Sequence, residues 1–179
     1  MGGNGGRDEV VNPYYWYYLC DVDIAPLLAW LVATDVPWPE PSTPTKPQRV
    51  HEPGLPTNLL QPIFGKVFAC FTTPVMAVAP MLSRVLAGQS HPMHVDQQRS
   101  DWITRVHVPI TTNLGCWMAW EHVAEASPLN PLPIVFEERI HFEAGKAYSF
   151  NTLDRHSFGN DGETARVHLI VEGLRNDAT

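Results

Sequence analysis

The chain has 179 residues, which is long enough for one domain with its own hydrophobic core. It carries 12 Lys and Arg against 19 Asp and Glu, and the net charge of -7 argues against broad contact with nucleic acid. No apolar run approaches the roughly 20 residues that cross a bilayer, and the glycine-rich start MGGNGGRDEV lacks the layout of a signal peptide. Three scattered cysteines do not make a disulfide framework. These features predict a soluble, cytoplasmic, single-domain protein.

The first third of the chain differs in composition from the rest. Residues 12–33 are apolar and aromatic and predict a strand followed by a short helix, with Asp23 as its N-cap. Eight prolines fall within residues 37–62, which excludes a central strand and predicts an extended or looping segment, either a spacer or a flap over a site. We therefore expect residues 1–62 to form an N-terminal segment whose proline-rich loop packs on the remainder.

From residue 63 onward the pattern favours short strands separated by turn signals such as EAGK and NDGE. The predicted strands are 64–71, 103–110, 115–121, 134–142, 147–151, 155–158 and 165–172. Residues 74–87 are ambiguous and are interpreted as a helical turn followed by a strand. Many short strands with punctuated turns are typical of an antiparallel sandwich, a jelly roll or a small barrel, here over residues 63–173.

Three residues could share a metal ion. His94 and Asp96 are two positions apart, so in an extended segment their side chains point to the same side. His156 follows a predicted strand 60 residues beyond Asp96, far enough for the chain to cross a small barrel and return. Two imidazoles and one carboxylate on one face of a metal are the ligand set of non-haem Fe(II) oxygenases. His91 is also nearby, but its three-residue offset from His94 is helical and Pro92 disfavours a helix there.

A buried cation is predicted from the strand pattern. In both TRVHVPI and ARVHLIV the valines share one face, so that Arg105 and His107, and likewise Arg166 and His168, share the opposite face. A 2-oxo acid that chelates iron leaves its far carboxylate in need of a cation, and the planar fork of arginine suits a carboxylate. Arg166, ten residues after His156, is the candidate. Such polar faces are often solvent-exposed in antiparallel sheets, but beside the H-x-D motif we expect them to converge inside the barrel.

These motifs together resemble a known family. The stretch HPMHVD…RVHVPITTN…AGKAYSFNTLDRHSFGNDGETARVHLIVEG, from about residue 80 to 173, resembles the aspartyl/asparaginyl β-hydroxylase family of Fe(II)/2-oxoglutarate-dependent dioxygenases. That family includes bacterial free-proline hydroxylases. The resemblance implies a mainly β fold, a double-stranded β-helix (jelly roll, cupin-like), here with one or two flanking N-terminal helices. It also implies Fe(II), 2-oxoglutarate and dioxygen as cofactor and cosubstrates, and a free amino acid or a peptide or protein as the substrate.

The resemblance also implies a role for each site residue. His94, Asp96 and His156 correspond to the iron ligands, and Arg166 to the residue that binds the distal carboxylate of 2-oxoglutarate. The remaining cosubstrate contacts that the family pattern implies are Arg105, His107 and Ser83. The expected reaction is hydroxylation of an amino acid or of an Asp, Asn or Pro residue, with release of succinate and carbon dioxide.

A different class of protein remains open on the same sequence. A non-oxygenase cupin, either a metal-dependent isomerase or a small-molecule sensor, would also place a histidine after Gly88 and another at His156. Against it, the chain has no second histidine two residues after His94. Conversion of 2-oxoglutarate to succinate with iron and oxygen separates the two alternatives.

Overall fold

The computed structural model of the chain describes residues 16–51, 54–96, 102–124, 132–150 and 152–175. In these ranges the chain forms ten strands and two helices, in the order β1 Trp16–Asp21, α1 Ala25–Ala33, β2 Gln48–His51, α2 Thr57–Phe68, β3 Val75–Val85, β4 Ser90–His94, β5 Trp102–Thr111, β6 Cys116–Ala124, β7 Ile134–Ile140, β8 Lys146–Phe150, β9 His156–Asn160 and β10 Arg166–Arg175. The glycine-rich start, residues 1–10, lies outside the described residues.

The strands form two antiparallel sheets. The larger sheet has the order β1-β8-β5-β10-β3-β2, and the smaller has the order β4-β9-β6-β7. This mainly β, two-sheet arrangement is the jelly roll that the sequence predicts, with α1 and α2 as its flanking helices. Strands β1 and β2 of the N-terminal segment form the two edges of the larger sheet, and the expected boundary at residue 62 falls inside α2. Within the described ranges, neither helix is long and apolar enough to cross a bilayer.

Strand alternation separates two cores. In β10, Val167, Leu169 and Val171 point to one face, where they pack with α1 and α2. Arg166 and His168 point to the opposite face, towards the smaller sheet, and both are buried. The second core lies between the sheets and is mainly aromatic; its members are Val85, Met118, Trp120, Phe142, Tyr148, Phe150 and Phe158. The prediction that the polar faces of these strands converge inside the protein is therefore confirmed.

The strand predicted at residues 64–71 is wrong. This stretch belongs mostly to α2, which begins at Thr57 inside the proline-rich segment and contains Pro62. The buried positions of α2 are Leu60, Ile63 and Val67, a helical spacing that continues across the proline. The eight prolines of residues 37–62 predicted an extended or looping segment, and its end at Pro62 divided this helical pattern in two. The packing of this face against the larger sheet offsets the hydrogen bond that Pro62 cannot donate.

Two smaller expectations also change. Residues 75–85 are strand throughout, and the predicted helical turn in this stretch is a bulge in the β3–β10 pairing at which Ala79 has a φ of 48°. Helix α1 has Ile24 at its N-cap, while the carboxylate of Asp23 accepts a hydrogen bond from the backbone N–H of Ala25 at 3.0 Å. The other predicted strands are present, with ends shifted by a few residues.

Candidate metal centre

The three predicted metal ligands lie together between the sheets. His94 ends β4 and His156 begins β9, and antiparallel pairing sets these two residues directly opposite each other. Asp96 follows two residues later, where its backbone N–H donates to the carbonyl of Thr152 at 3.1 Å. Its carboxylate oxygens lie 3.6 Å from Nε2 of His94 and 3.7 Å from Nε2 of His156. One ligand atom from each of the three residues lies within 4.8 Å of the others.

Both histidines are oriented by hydrogen bonds to the backbone. Nδ1 of His94 lies 2.9 Å from the carbonyl oxygen of Pro92, and Nδ1 of His156 lies 2.9 Å from that of Asp154. Because a carbonyl only accepts, each Nδ1 carries a proton, and in the neutral form of each ring Nε2 then has a lone pair on the side of Asp96. Burial lowers the pKa of His156, so this imidazole is neutral at pH 7. Hydrogen-bonded Nδ1 and free Nε2 are the usual arrangement of metal-binding histidines, and the donor set fits Fe(II).

The carboxylate of Asp96 is held by an arginine from the larger sheet. Nη1 of Arg105 donates to Oδ2 of Asp96, and Nη2 of the same guanidinium donates to Oε1 of Glu172 at 2.6 Å. Arg105 and Glu172 are paired across β5 and β10, so the sheet register fixes this contact. Arg105, which the sequence predicts to contact the cosubstrate, is thus bound between two carboxylates. It orients the carboxylate of Asp96, which lies beside His94 and His156.

Two further histidines lie behind the metal centre. Nδ1 of His107 and Nδ1 of His168 are 3.3 Å apart, and both rings are buried. Burial, with a smaller effect of the nearby Arg166 cation, lowers the pKa of both well below 6.5. The two imidazoles are therefore neutral, and one Nδ1 donates to the other.

These two buried histidines should make the ligand-free protein less stable in acid. Their folded-state pKa values lie below 6.5, so the unfolded chain binds more protons as the pH falls below that value. The contribution of the two neutral histidines to the free energy of unfolding is fully present above about pH 6.5. Below that pH it declines by up to about 1.4 kcal/mol per pH unit for each histidine. Urea unfolding between about pH 7.5 and pH 5 measures this slope. In His168→Gln the pH dependence of the unfolding free energy should be smaller by about the contribution of one histidine. An unchanged dependence would contradict the conclusion that His168 is buried in its neutral form.

Arg166 is buried without a counter-charge. Its side chain is 1% exposed, and within the described ranges no carboxylate pairs with it. Nη1 lies 3.4 Å from the carbonyl oxygen of Trp117 and 3.7 Å from the sulfur of Met118, and the guanidinium centre lies 5.0 Å from the Phe158 ring centroid. Burial lowers the pKa of Arg166 to about 10, which still leaves it cationic at pH 7. An unpaired buried charge is costly, so this position calls for an anionic ligand.

A narrow cavity of about 20 Å³ connects Arg166 to the metal centre. All seven predicted site residues line it: Ser83, His94, Asp96, Arg105, His107, His156 and Arg166. Ser83 is buried and lies opposite His168 in the β3–β10 register. The remaining lining side chains are Arg49, Met118, Phe150, Phe158 and Ile170. The cavity has polar groups at two ends and an apolar wall between them, a distribution that matches the two carboxylates and the aliphatic middle of a small dicarboxylate.

His91 lies close to the metal centre. Among the described residues, however, the group of possible metal ligands consists of His94, Asp96 and His156 and does not include His91. Its ring is 4.5 Å from that of His94 and stacks on Phe158. Nδ1 of His91 lies 3.0 Å from the carbonyl oxygen of Thr45, in the proline-rich segment. His91 therefore connects this segment to the strand that carries His94.

The sequence analysis missed Arg49. This residue lines the cavity from β2, and a signal for it exists: the triplet RVH occurs at 49–51 as well as at 105–107 and 166–168. All three triplets lie on strands of the larger sheet, and in each the valine packs on the helix side. The proline count around the first triplet obscured the pattern.

The fold has well-defined counterparts among solved structures. An oxidoreductase of the 2OG-Fe(II) oxygenase family from Burkholderia pseudomallei matches with a TM-score of 0.62 and 16% identity, over 91% of this chain and 85% of that one. The fold is that of the 2OG-Fe(II) oxygenases. The non-heme alpha ketoglutarate dependent carbocyclase SnoK from nogalamycin biosynthesis matches with a TM-score of 0.62 and 12% identity, over 90% of this chain and 80% of that one.

A third counterpart was solved with a peptide. It is a prolyl hydroxylase from Trichoplax adhaerens in complex with a hypoxia inducible factor peptide fragment, with a TM-score of 0.57 and 11% identity, over 92% of this chain and 85% of that one. The sequence matches no protein-family model and no curated protein. At these identities the likeness establishes the fold, and the chemistry has to be argued from the side chains.

Proposed function

We propose that the protein is an Fe(II)- and 2-oxoglutarate-dependent dioxygenase that hydroxylates an amino acid or an Asp, Asn or Pro residue. The observation that carries the proposal is the His94, Asp96 and His156 cluster in one cavity with Arg166, a buried cation that has no carboxylate partner among the described residues. A metal ligand set alone would fit many reactions. The addition of an unpaired guanidinium fits a cosubstrate with one carboxylate near the metal and another at a distance.

The roles of the metal ligands follow from their donor atoms. Nε2 of His94, Nε2 of His156 and the carboxylate of Asp96 would hold Fe(II), while the backbone carbonyls at Nδ1 keep both imidazoles in the required tautomer. When bound, iron, 2-oxoglutarate and dioxygen supply the oxidative chemistry: one oxygen atom enters succinate as carbon dioxide leaves, and the other converts a substrate C–H into C–OH. Arg105 would position Asp96, since it binds that carboxylate already.

The cosubstrate would extend from the metal to the buried arginine. Arg166 would bind its distal carboxylate, and Ser83 would assist from the neighbouring strand. His107, neutral and fixed by His168, and Arg105 stay predicted cosubstrate contacts on the same face. The apolar side chains between them would exclude water from the reacting centre.

The narrower family assignment rests on the motif order. The sequence H-x-D, then R-x-H-x-P, then R-x-H-L favours the aspartyl/asparaginyl β-hydroxylase family, including its free-proline hydroxylases. A prolyl hydroxylase with a bound peptide and a carbocyclase have the same fold, so both peptides and small molecules are candidate substrates. The cupin isomerase or sensor has less support, because nothing in those functions requires the charge of Arg166 to be buried.

A cytoplasmic location forms part of the proposal. Cys20, Cys70 and Cys116 are free thiols, which fits a reducing compartment in which Fe(II) stays ferrous. The net charge of -7 does not favour nucleic acid as a partner.

Turnover of 2-oxoglutarate tests the proposal. Purified protein with Fe(II), 2-oxoglutarate and air should form succinate, and the rate should rise when the true substrate is added. Mass spectrometry of free amino acids and of Pro-, Asp- and Asn-containing peptides should reveal a product heavier by one oxygen atom. Failure of the protein to bind both Fe(II) and 2-oxoglutarate would refute the assignment.

A further inference from the structure

We propose that Arg49 and Lys46 bind a carboxylate of the primary substrate, so that the compound hydroxylated is a free acid. This inference rests on the proposed function and adds the substrate class. Both residues line a second, outer cleft of about 400 Å³, formed by Pro39, Glu40, Pro41, Ser42, Lys46, Pro47, Arg49, His91, His94 and Asp96. The outer cleft shares Arg49, His94 and Asp96 with the inner cavity. A compound in it therefore lies beside the metal ligands.

Strand β2 directs Arg49 towards the metal centre. In the register of the larger sheet, Arg49 lies opposite Ser83, and Ser83 lies opposite His168. The three residues form one row on the face that looks at the smaller sheet, while Val50 packs on the helix side. Because β2 is an edge strand, the side chain of Arg49 is at the rim of the cavity and remains exposed.

Arg49 has no direct contact with a carboxylate among the described residues. Its guanidinium has no hydrogen bond or ion pair with any residue in the described part of the chain, and the same holds for the ammonium group of Lys46. Arg105, by contrast, is neutralised by Asp96 and Glu172. Partial burial is the main cause that lowers the pKa of Arg49; the neighbouring Arg105 cation adds to this effect, and the Asp96 carboxylate opposes it.

The acid bound here is distinct from the cosubstrate. The proposed function assigns the two ends of 2-oxoglutarate to Arg166 and to the metal. Neither Arg166 nor Ser83 lines the outer cleft. An anion held by Lys46 and Arg49 is therefore separate from the distal-carboxylate site and lies in the cleft that His94 and Asp96 also line.

The proline-rich wall of the outer cleft is held by hydrogen bonds from Gln48 in β2 and from Gln89, the residue before β4. The amide of Gln48 donates to the carbonyl of Pro39 at 2.9 Å, and that of Gln89 donates to the carbonyls of Pro44 and Lys46 at 2.9 and 2.7 Å. The prolines limit the remaining backbone freedom. A wall that is already ordered loses little entropy when it binds a ligand, so it can position a small acid accurately.

Besides Asp96, which Arg105 binds, the outer cleft has one more carboxylate, that of Glu40. It lies near the guanidinium of Arg84, whose pKa is raised by this carboxylate against the larger lowering effect of burial. Glu40 therefore has a cation of its own and does not cancel Lys46 and Arg49. The cleft offers two uncommitted cations, which favours a carboxylate over a neutral amide.

Ligand-induced stabilisation provides the test. Protein loaded with Fe(II) and 2-oxoglutarate under argon is heated with each standard free amino acid and, in parallel, with the corresponding amide. At least one free acid should raise Tm, and its amide should not. In Arg49→Gln and Lys46→Gln the concentration of that acid needed for the same shift should rise about tenfold to a hundredfold, as expected for loss of a charge-assisted hydrogen bond. Arg139→Gln, on strand β7 at an edge of the smaller sheet, is the control, and in it the concentration of that acid should equal the wild-type value.

The outcomes separate this inference from the proposed function. The inference would be overturned if amides raised Tm as much as free acids, or if no free acid raised Tm. In either case, 2-oxoglutarate binding would leave the oxygenase assignment intact. Weaker 2-oxoglutarate binding in Arg49→Gln, equal to that in an Arg166 variant, would also overturn it and would assign Arg49 to the cosubstrate. A wild-type protein that does not bind 2-oxoglutarate would be a separate result, and it would refute both the proposed function and this inference.

Discussion

Replacing Arg166 with methionine should stabilise the ligand-free protein and remove its affinity for 2-oxoglutarate. The guanidinium is buried without a carboxylate partner among the described residues, so an apolar side chain of similar length removes a desolvated charge. We expect the free energy of unfolding to rise by about 1–3 kcal/mol. The same change removes the proposed partner of the distal carboxylate, and the Kd for 2-oxoglutarate should rise by at least about a hundredfold.

Two measurements on the same variant make this prediction specific. Urea unfolding without ligand gives the stability change, and titration of 2-oxoglutarate into Fe(II)-loaded protein under argon gives the Kd. Arg139→Met removes an arginine whose side chain is 52% exposed and pairs with Glu137 and Asp161. It should leave the Kd for 2-oxoglutarate unchanged and lower the free energy of unfolding by about 1 kcal/mol at most. An Arg166→Met protein that binds 2-oxoglutarate as well as wild type would remove the main reason for proposing an oxygenase.

Replacing Asp96 with alanine should abolish turnover by removing one of the three metal ligands. The change leaves two imidazoles, whose orientation depends on backbone carbonyls and not on the carboxylate. Loss of a residue that merely supports a ligand typically costs 10–100-fold in metal affinity, so loss of the ligand itself should cost more than about a hundredfold. Arg105 keeps its contact with Glu172, so the variant should still fold.

Equilibrium titration with Fe(II) under argon and succinate formation in air are the two measurements for Asp96→Ala. Asp35→Ala makes the same change of charge at an exposed position after α1 and serves as the control. Wild-type Fe(II) affinity together with wild-type turnover in the Asp96 variant would mean that the metal binds elsewhere. A normal Fe(II) affinity together with lost turnover would instead limit Asp96 to a role in the reaction.

Strand alternation made much of the site predictable. The valines of TRVHVPI and ARVHLIV are on one face because successive strand residues alternate, so the arginines and histidines had to share the other face. The same rule predicts that His94 and Asp96 can approach one ion. Local patterns of this kind act over a few residues and do not depend on how the strands are arranged. Applied to RVH at 49–51, the rule would have identified Arg49 as well.

Other features depended on which segments pack together. The helical face of α2 crosses Pro62, and only its burial against the larger sheet explains why the helix continues. The pairing of His94 with His156 is set by the β4–β9 register, a contact between residues 62 positions apart.

By itself the sequence determined the residue types of the site, their faces and the class of fold, because strand periodicity and ligand chemistry are local properties. The tertiary structure decided that Arg105 is bound between Asp96 and Glu172 while Arg166 is buried without such a partner. That difference cannot be read from two identical RVH triplets. It arises because strand register determines which carboxylate lies opposite each arginine.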